Sequence, residues 1–313
     1  MLGYVLRRLL ATIPVMATVA VIVFMLLHLT PGDPAALIGG DLATPEDLRR
    51  IREQLGLERP IVEQFLSWLW QVLQGDLGTS LFTQIPVRQL IMQRMEPTLM
   101  IGLTIMIFAV IVAVPLGVIA AWKVGSWVDQ TIMTLAVIAF SMPIFLIGYL
   151  LIFKFSVELK WFPVRGYSPL ASGPAKFFPH IVLPSLTVSF IYIALLTRMT
   201  RATMLDVLNQ DYIRTARAKG VATTRLLAIH ALKNAAVPIV TMIGIGLSSL
   251  LGGIVVTETV FAIPGIGRLM IDAILRRDFP VLQGVILVLS ALYVLINLLI
   301  DLSYSLFDPR IRY

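Results

Sequence analysis

The sequence predicts an all-α membrane protein with six transmembrane helices, both termini on the cytoplasmic side and a small extracytoplasmic helical segment after the first span. Composition is the first ground. Of 313 residues, 58% are hydrophobic and only 14% charged, with a mean hydropathy of +0.89, far beyond an ordinary soluble domain. Spacing is the second. Windows free of Asp, Glu, Lys and Arg run 24 residues (9–32), 26 (97–122), 24 (130–153), 21 (177–197), 24 (234–257) and 22 (279–300), and the next longest is 12 (64–75). Since about 20 apolar residues cross a bilayer core as a helix, six windows stand clear of the rest. Sidedness is the third ground. With the N-terminus inside, the inner segments hold twelve basic residues against five acidic ones, a surplus of +7, while the outer segments hold thirteen of each. The whole net charge therefore lies on one side, which marks membrane topology and argues against nucleic acid as a partner.

Taken in order, Arg7 and Arg8 anchor span one on the inside, and the apolar run behind them is too long for a cleaved signal peptide. His28-Leu29-Thr30-Pro31-Gly32-Asp33-Pro34 ends that span with a turn. Thr44-Pro45-Glu46-Asp47 starts a helix, with Pro at its first position and acids in its first turn, running to Leu55-Gly56. A second helix, from Pro60 to Leu73, carries Ile61, Phe65, Trp68, Leu69 and Val72 on one apolar face with Trp70 beside it. It reads as a cap on the membrane mouth or in the interface, or as a docking surface for a soluble partner. Gly75-Asp76-Leu77-Gly78-Thr79-Ser80 follows and is not a phosphate loop, because no Lys follows it and it opens no helix.

Pro115-Leu116-Gly117 in span two and Ser141-Met142-Pro143 in span three predict kinks or close backbone contacts. Freed carbonyls are tolerable only within protein or beside a water-lined cavity, so these two spans are expected to border a polar path. Trp161 and Tyr167 suit the outer interface, and Pro179 and Pro184 interrupt the start of span four. Span five holds Gly244, Gly246, Ser248, Ser249, Gly252 and Gly253, small residues that suit either a seam with a second membrane subunit or close internal packing. Beyond it, Glu258 is expected at the membrane edge, as an ion-pair partner of Arg268 or Arg276 or as a gate. Asp301, at the inner end of span six, is expected to pair with basic residues between 198 and 233.

Between spans four and five lies a basic island, seven Lys and Arg against two Asp over 198–233. It reads as two short helices. Tyr212, Ala216 and Lys219/Gly220 share a face. Gly220 suits the left-handed position that ends a helix, with Lys219 in the last turn, and Thr223 or Thr224 is placed to cap the second helix. Such a long inner loop is expected to have a task.

The run Asp211-Tyr212-Ile213-Arg214-Thr215-Ala216-Arg217-Ala218-Lys219-Gly220, followed by His230-Ala231-Leu232-Lys233-Asn234-Ala235 and Pro238, resembles the "EAA" loop of ABC-importer permeases. It is closest to the branch that carries dipeptides, oligopeptides, glutathione and nickel. Arg214 stands where the general loop has Glu, and Leu232-Lys233 where it has Leu-Pro; both departures are typical of that branch. The segments 28–35, 75–80, 258–267, 276–280 and 307–313 resemble the same branch, so the likeness spans the chain. It implies a type I ABC importer permease fold in a bacterial cytoplasmic (inner) membrane, divided as anchor and span one (1–32), extracytoplasmic segment (33–96), transmembrane core (97–303) with coupling loop 200–233, and cytoplasmic tail (304–313). It further implies that Tyr212, Arg214, Thr215, Ala216, Arg217, Ala218, Lys219 and Gly220 meet an ATP-binding subunit, with small residues allowing close approach. The implied partners are a homologous second permease, two ATP-binding subunits, an extracytoplasmic solute-binding protein and membrane lipid.

Absences bound the chemistry. The sequence has no Gly-x4-Gly-Lys-Ser/Thr, so ATP and Mg are expected on partner subunits and no cofactor on this chain. It lacks His-Glu-x-x-His and Gly-x-Ser-x-Gly. Without cysteine and with scattered histidines, no metal or catalytic site is expected. The expected function is peptide import driven by a separate motor. A glutathione, nickel-chelate or other small-solute importer of the same architecture is the alternative, and a membrane scaffold or channel without turnover is the rival from another class.

Overall fold

The computed structural model describes residues 2–29, 34–39, 43–54, 56 and 58–307. The turn residues Thr30-Pro31-Gly32-Asp33, the helix-ending Leu55 and the tail 308–313 lie outside them. Among the described residues the regular structure is helical: α1 (Leu2–Leu29), α2 (Pro34–Gly39), α3 (Pro45–Gln54), α4 (Ile61–Leu73), α5 (Val87–Trp122), α6 (Trp127–Ser141), α7 (Ile144–Leu151, continued as a π-helix over Ile152–Glu158), α8 (Pro174–Leu208), α9 (Asp211–Ala218), α10 (Thr223–Arg225, continued as a π-helix over Leu226–Ala231), α11 (Leu232–Val260), α12 (Ile266–Arg276) and α13 (Phe279–Phe307). Five of these stretches are long and apolar enough to cross a membrane. The pair Trp127–Ser141 and Ile144–Glu158, bent by 101°, makes a sixth if counted as one span.

One expectation shifts: Pro179 and Pro184 leave α8 uninterrupted. Pro97 and Pro115 lie inside a continuous α5, with the expected close backbone contact at Gly117, and the expected kink in span three falls at Met142-Pro143, where Met142 is extended (ψ 132). The residue before a proline is pushed out of helical geometry, and here the chain follows that push into a sharp bend.

The chain forms two compact units, residues 1–96 with 265–295, and 97–264 with 296–313. In the first, Val87, Leu90 and Ile91 pack with Ile266, Leu269, Ala273, Val281 and Val285. A second cluster sets Ala20 and Val23 of α1 against Trp68, Leu69 and Val72 of α4, with Phe24 edge-on to Phe65 at 5.3 Å. At the start of α3 the Thr44 hydroxyl accepts from the Asp47 amide (3.2 Å), and Asp47 accepts from the Thr44 amide and hydroxyl, a reciprocal cap. These bonds hold the Asp47 carboxyl below the usual range.

In the second unit the core is a close crossing of α5 and α8. Ala109 and Ala113 are fully buried, and with Gly117 they form a small-residue ridge at four-residue spacing, which lets backbones approach in lipid. The Ser189 hydroxyl donates to the Ile105 carbonyl at 3.3 Å and the Thr197 hydroxyl to the Ala113 carbonyl at 3.5 Å. At Gly117 an added Cβ would lie 2.5 Å from Thr200 Cβ and 2.8 Å from the Thr197 carbonyl oxygen. Span five divides by face. Gly244 abuts Ile300, and Gly246 abuts Met106 and Tyr192, whereas Ile245, Ser249, Gly252 and Val256 form an exposed row.

Gly117→Val is therefore expected to destabilise the protein by about 1–3 kcal/mol, read as a lower melting temperature in detergent. Thr200→Ala should not rescue it, because the Thr197 carbonyl stays in the way; full rescue would show that the contact is not backbone-limited.

Candidate functional site

The inner island is built on a polar clamp. Ser126 caps α6 by accepting from the Asp129 amide, and this orients the Asp129 side chain toward α8. Arg201 Nε donates to one carboxylate oxygen at 2.6 Å and Nη2 to the other at 2.7 Å, while the Gly125 amide donates at 3.0 Å. The forked geometry is the strong form of a guanidinium–carboxylate contact. Asp129 is 5% exposed and Arg201 26%. The sequence places both residues at span ends expected on the same side without pairing them; opposite charge at those ends was the available signal.

Beyond this clamp α8 ends at Leu208, and α9 begins at Asp211 after two intervening residues. Ile213, fully enclosed, packs with Met204, Leu226, Ala231, Ala235 and Ala121, and Ala216 leans on the same cluster. Ala216 thus turns toward the chain's own core and does not share an outward face with Tyr212 and Lys219, a correction to the predicted face. Tyr212, Arg214, Thr215, Ala218, Lys219 and Gly220 are exposed. Partial burial pushes the Tyr212 hydroxyl pKa up. Arg217, also exposed, reaches back over the Trp122 ring, 5.4 Å from its centroid, a contact of about 0.5–1 kcal/mol at an exposed site. Arg214 lies 3.7 Å from Asp211 across one helical turn.

The helix stops at Gly220 as the sequence predicts, with φ +75 there, but Lys219 is the C-cap residue and the cation in the last turn is Arg217. The Gly220 amide donates to the Arg217 carbonyl and the Val221 amide to the Ala216 carbonyl, closing the turn while Val221 joins the core cluster. A Cβ at Gly220 would meet no atom, so backbone handedness alone demands glycine there. The next helix differs from expectation. Ala222 occupies its N-cap position with no side-chain bond, leaving Thr223 and Thr224 exposed, and it continues through the π-turn into α11 instead of ending as a separate short helix. The segment packed against α9 is therefore continuous with a span.

The remaining predicted residues lie on other elements. Glu258 is fully buried in the second unit and accepts from the Thr98 hydroxyl at 2.6 Å. Asp301 belongs to the same unit, half-buried near the end of α13. Arg268 and Arg276 lie on α12 of the first unit, half-buried and exposed respectively. In that unit two distant motifs meet. Ser80 donates to Asp278 at 2.6 Å and the Leu81 amide to the same carboxylate at 3.3 Å, so the 75–80 and 276–280 segments form one structure.

Residues 113–313 match the family described as the binding-protein-dependent transport system inner membrane component, and residues 1–102 match its N-terminal part. A probable peptide ABC transporter permease protein of Sinorhizobium fredii is 52% identical over 99% of both chains. The glutathione transport system permease protein GsiC of Escherichia coli O6:H1 is 45% identical over the full length of both. Among solved structures, the MetNI methionine ABC transporter has a chain that aligns with a TM-score of 0.59 over 70% of this chain and 97% of its own, at 18% identity, a likeness of fold alone.

Asp129→Ala is expected to cost about 3 kcal/mol, because it strands a partly buried guanidinium; thermal unfolding in detergent measures it. Arg201→Lys should recover only part of the clamp's contribution, since a point charge cannot reproduce the fork.

Proposed function

The chain belongs to the binding-protein-dependent transport system inner membrane component family, a multi-pass bacterial inner-membrane protein, and on that premise we propose that it is the permease subunit of an ATP-driven importer of di- and oligopeptides. Relatives spanning its whole length carry peptide-permease names, which supports the substrate class. The observation that carries the mechanism is the exposed outer face of α9, with Arg214 and Lys219 turned to solvent while Ile213 and Ala216 seat the helix on the core.

In this reading both termini and α9 face the cytosol, and residues 33–96 lie outside. Two separate subunits bind and hydrolyse ATP with Mg, and this chain binds no cofactor. A second, homologous permease completes a heterodimer, and the exposed row Ile245, Ser249, Gly252 and Val256 suits that seam. A solute-binding protein delivers the peptide. When ATP closes the motor subunits, α9 moves with them. The clamp at Asp129 and Arg201 and the continuous α10–α11 segment carry that displacement into spans four and five, switching a cavity between inward- and outward-facing states. Gate or ion-pair roles are proposed for Glu258 and Asp301 in the second unit and, separately, for Arg268 and Arg276 in the first. The glutathione permease relative favours a second reading of the cargo, itself a small peptide, within the same mechanism.

Two measurements test this. Because the chain has no cysteine, Lys219→Cys gives a single labelling site. A membrane-impermeant maleimide should modify it in inside-out vesicles and not in right-side-out ones, and the reverse pattern would overturn the topology. Gly220→Pro, whose ring fixes φ near −65°, should abolish ATP-driven peptide uptake while membrane insertion persists. Gly220→Ala should cost about 1 kcal/mol and keep transport. Unchanged uptake in Gly220→Pro would overturn the coupling.

A further inference from the structure

The first unit contains a cavity of about 560 Å³, within the size range of small-molecule sites, that the proposed coupling does not use. Its lining includes aromatic side chains: Phe24 and Phe279, 4% and 6% exposed, and Trp68. Gln283, 7% exposed, lines it as well and is fixed in place, its amide nitrogen donating to the Val23 carbonyl at 3.2 Å. Three charged side chains complete the lining, Glu53, Arg59 and Asp76, all exposed to solvent.

The backbone at Arg59 and the carboxylate of Asp76 are held in position. Gln64 Nε2 donates to the Arg59 carbonyl at 2.8 Å, which leaves Oε1 to accept from His28 Nε2 at 3.2 Å. The backbone carrying Arg59 is thereby tied through Gln64 to α1. Asp76 sits between two left-handed glycines, Gly75 at φ +82 and Gly78 at φ +81, and accepts from the Gly78 amide at 2.9 Å. One carboxylate oxygen is used by the turn.

A short peptide with free ends presents a carboxylate, an ammonium and apolar side chains. Each has a counterpart here: a guanidinium for the carboxylate, two carboxylates for the ammonium and aromatic lining residues for a side chain. We propose that this cavity binds a short peptide by its free termini, Arg59 taking the carboxylate and Glu53 with Asp76 the ammonium. The inference rests on the peptide-importer reading and adds a recognition site on the permease chain itself.

The test is isothermal titration of the full-length chain in nanodiscs with alanyl-phenylalanine, its N-acetyl form and its C-terminal amide. The parent dipeptide should bind about tenfold or more tighter than either blocked form, the scale of one charge-assisted contact. Arg59→Gln should erase the preference for the free carboxylate over the amide. Asp76→Asn keeps an oxygen to accept from Gly78 and so preserves the turn, yet should weaken the preference for the free amine. No binding to the wild-type chain, or wild-type discrimination in both variants, would overturn the proposal. Peptide uptake by the complete reconstituted importer decides the underlying reading separately: transport without dipeptide binding by this chain sinks the cavity and leaves the importer reading standing.

Discussion

The close crossing of α5 and α8 is the constraint on which the second unit depends. In lipid no hydrophobic force draws helices together, so association relies on contact and on hydrogen bonds between backbones. Ala109, Ala113 and Gly117 remove side chains from one helix, and Ser189 and Thr197 supply hydroxyls from the other that reach carbonyls across the gap. Larger residues along that ridge would push the hydroxyls out of bonding range. Because α8 runs unbroken from Pro174 to Leu208, the same crossing also determines where its C-terminal end, and therefore the island, emerges.

Polar side chains then pin the helix ends. Asp129 and Arg201 join α6 to α8 on the approach to the island, Thr98 joins Glu258 within the second unit, and Ser80 joins Asp278 within the first. Each pairing satisfies a buried or half-buried carboxylate that would otherwise be costly to enclose. In the proposed mechanism this stiffness has a use. A helix seated by Ile213 and stopped by Gly220 moves as a body, so a displacement at its surface reaches the spans with little lost to local bending.

Much of this was legible along the chain. The charge-free windows located the spans, and the Thr44-Pro45-Glu46-Asp47 start and the Gly220 stop were readable because caps and left-handed turns are encoded within four or five residues. The inward turn of Ala216 was not, because amphipathic spacing marks a face without saying what it meets, and α9 has a core on one side and solvent on the other. Nor were Pro179 and Pro184 readable as harmless: a proline removes one hydrogen bond, and packing around the helix decides whether the chain bends there or at Met142-Pro143.

By itself the sequence determined the membrane class, the spans, the charge bias and the family's motifs, since each depends on local composition or on short-range order. Only the tertiary structure decided which of those motifs meet. The 75–80 and 276–280 segments lie nearly two hundred residues apart and share one carboxylate, and Arg201 meets Asp129 from 72 residues along the chain. Pairings of that kind follow from how helices cross, and crossing is set by side-chain volumes on facing surfaces, which no single segment carries.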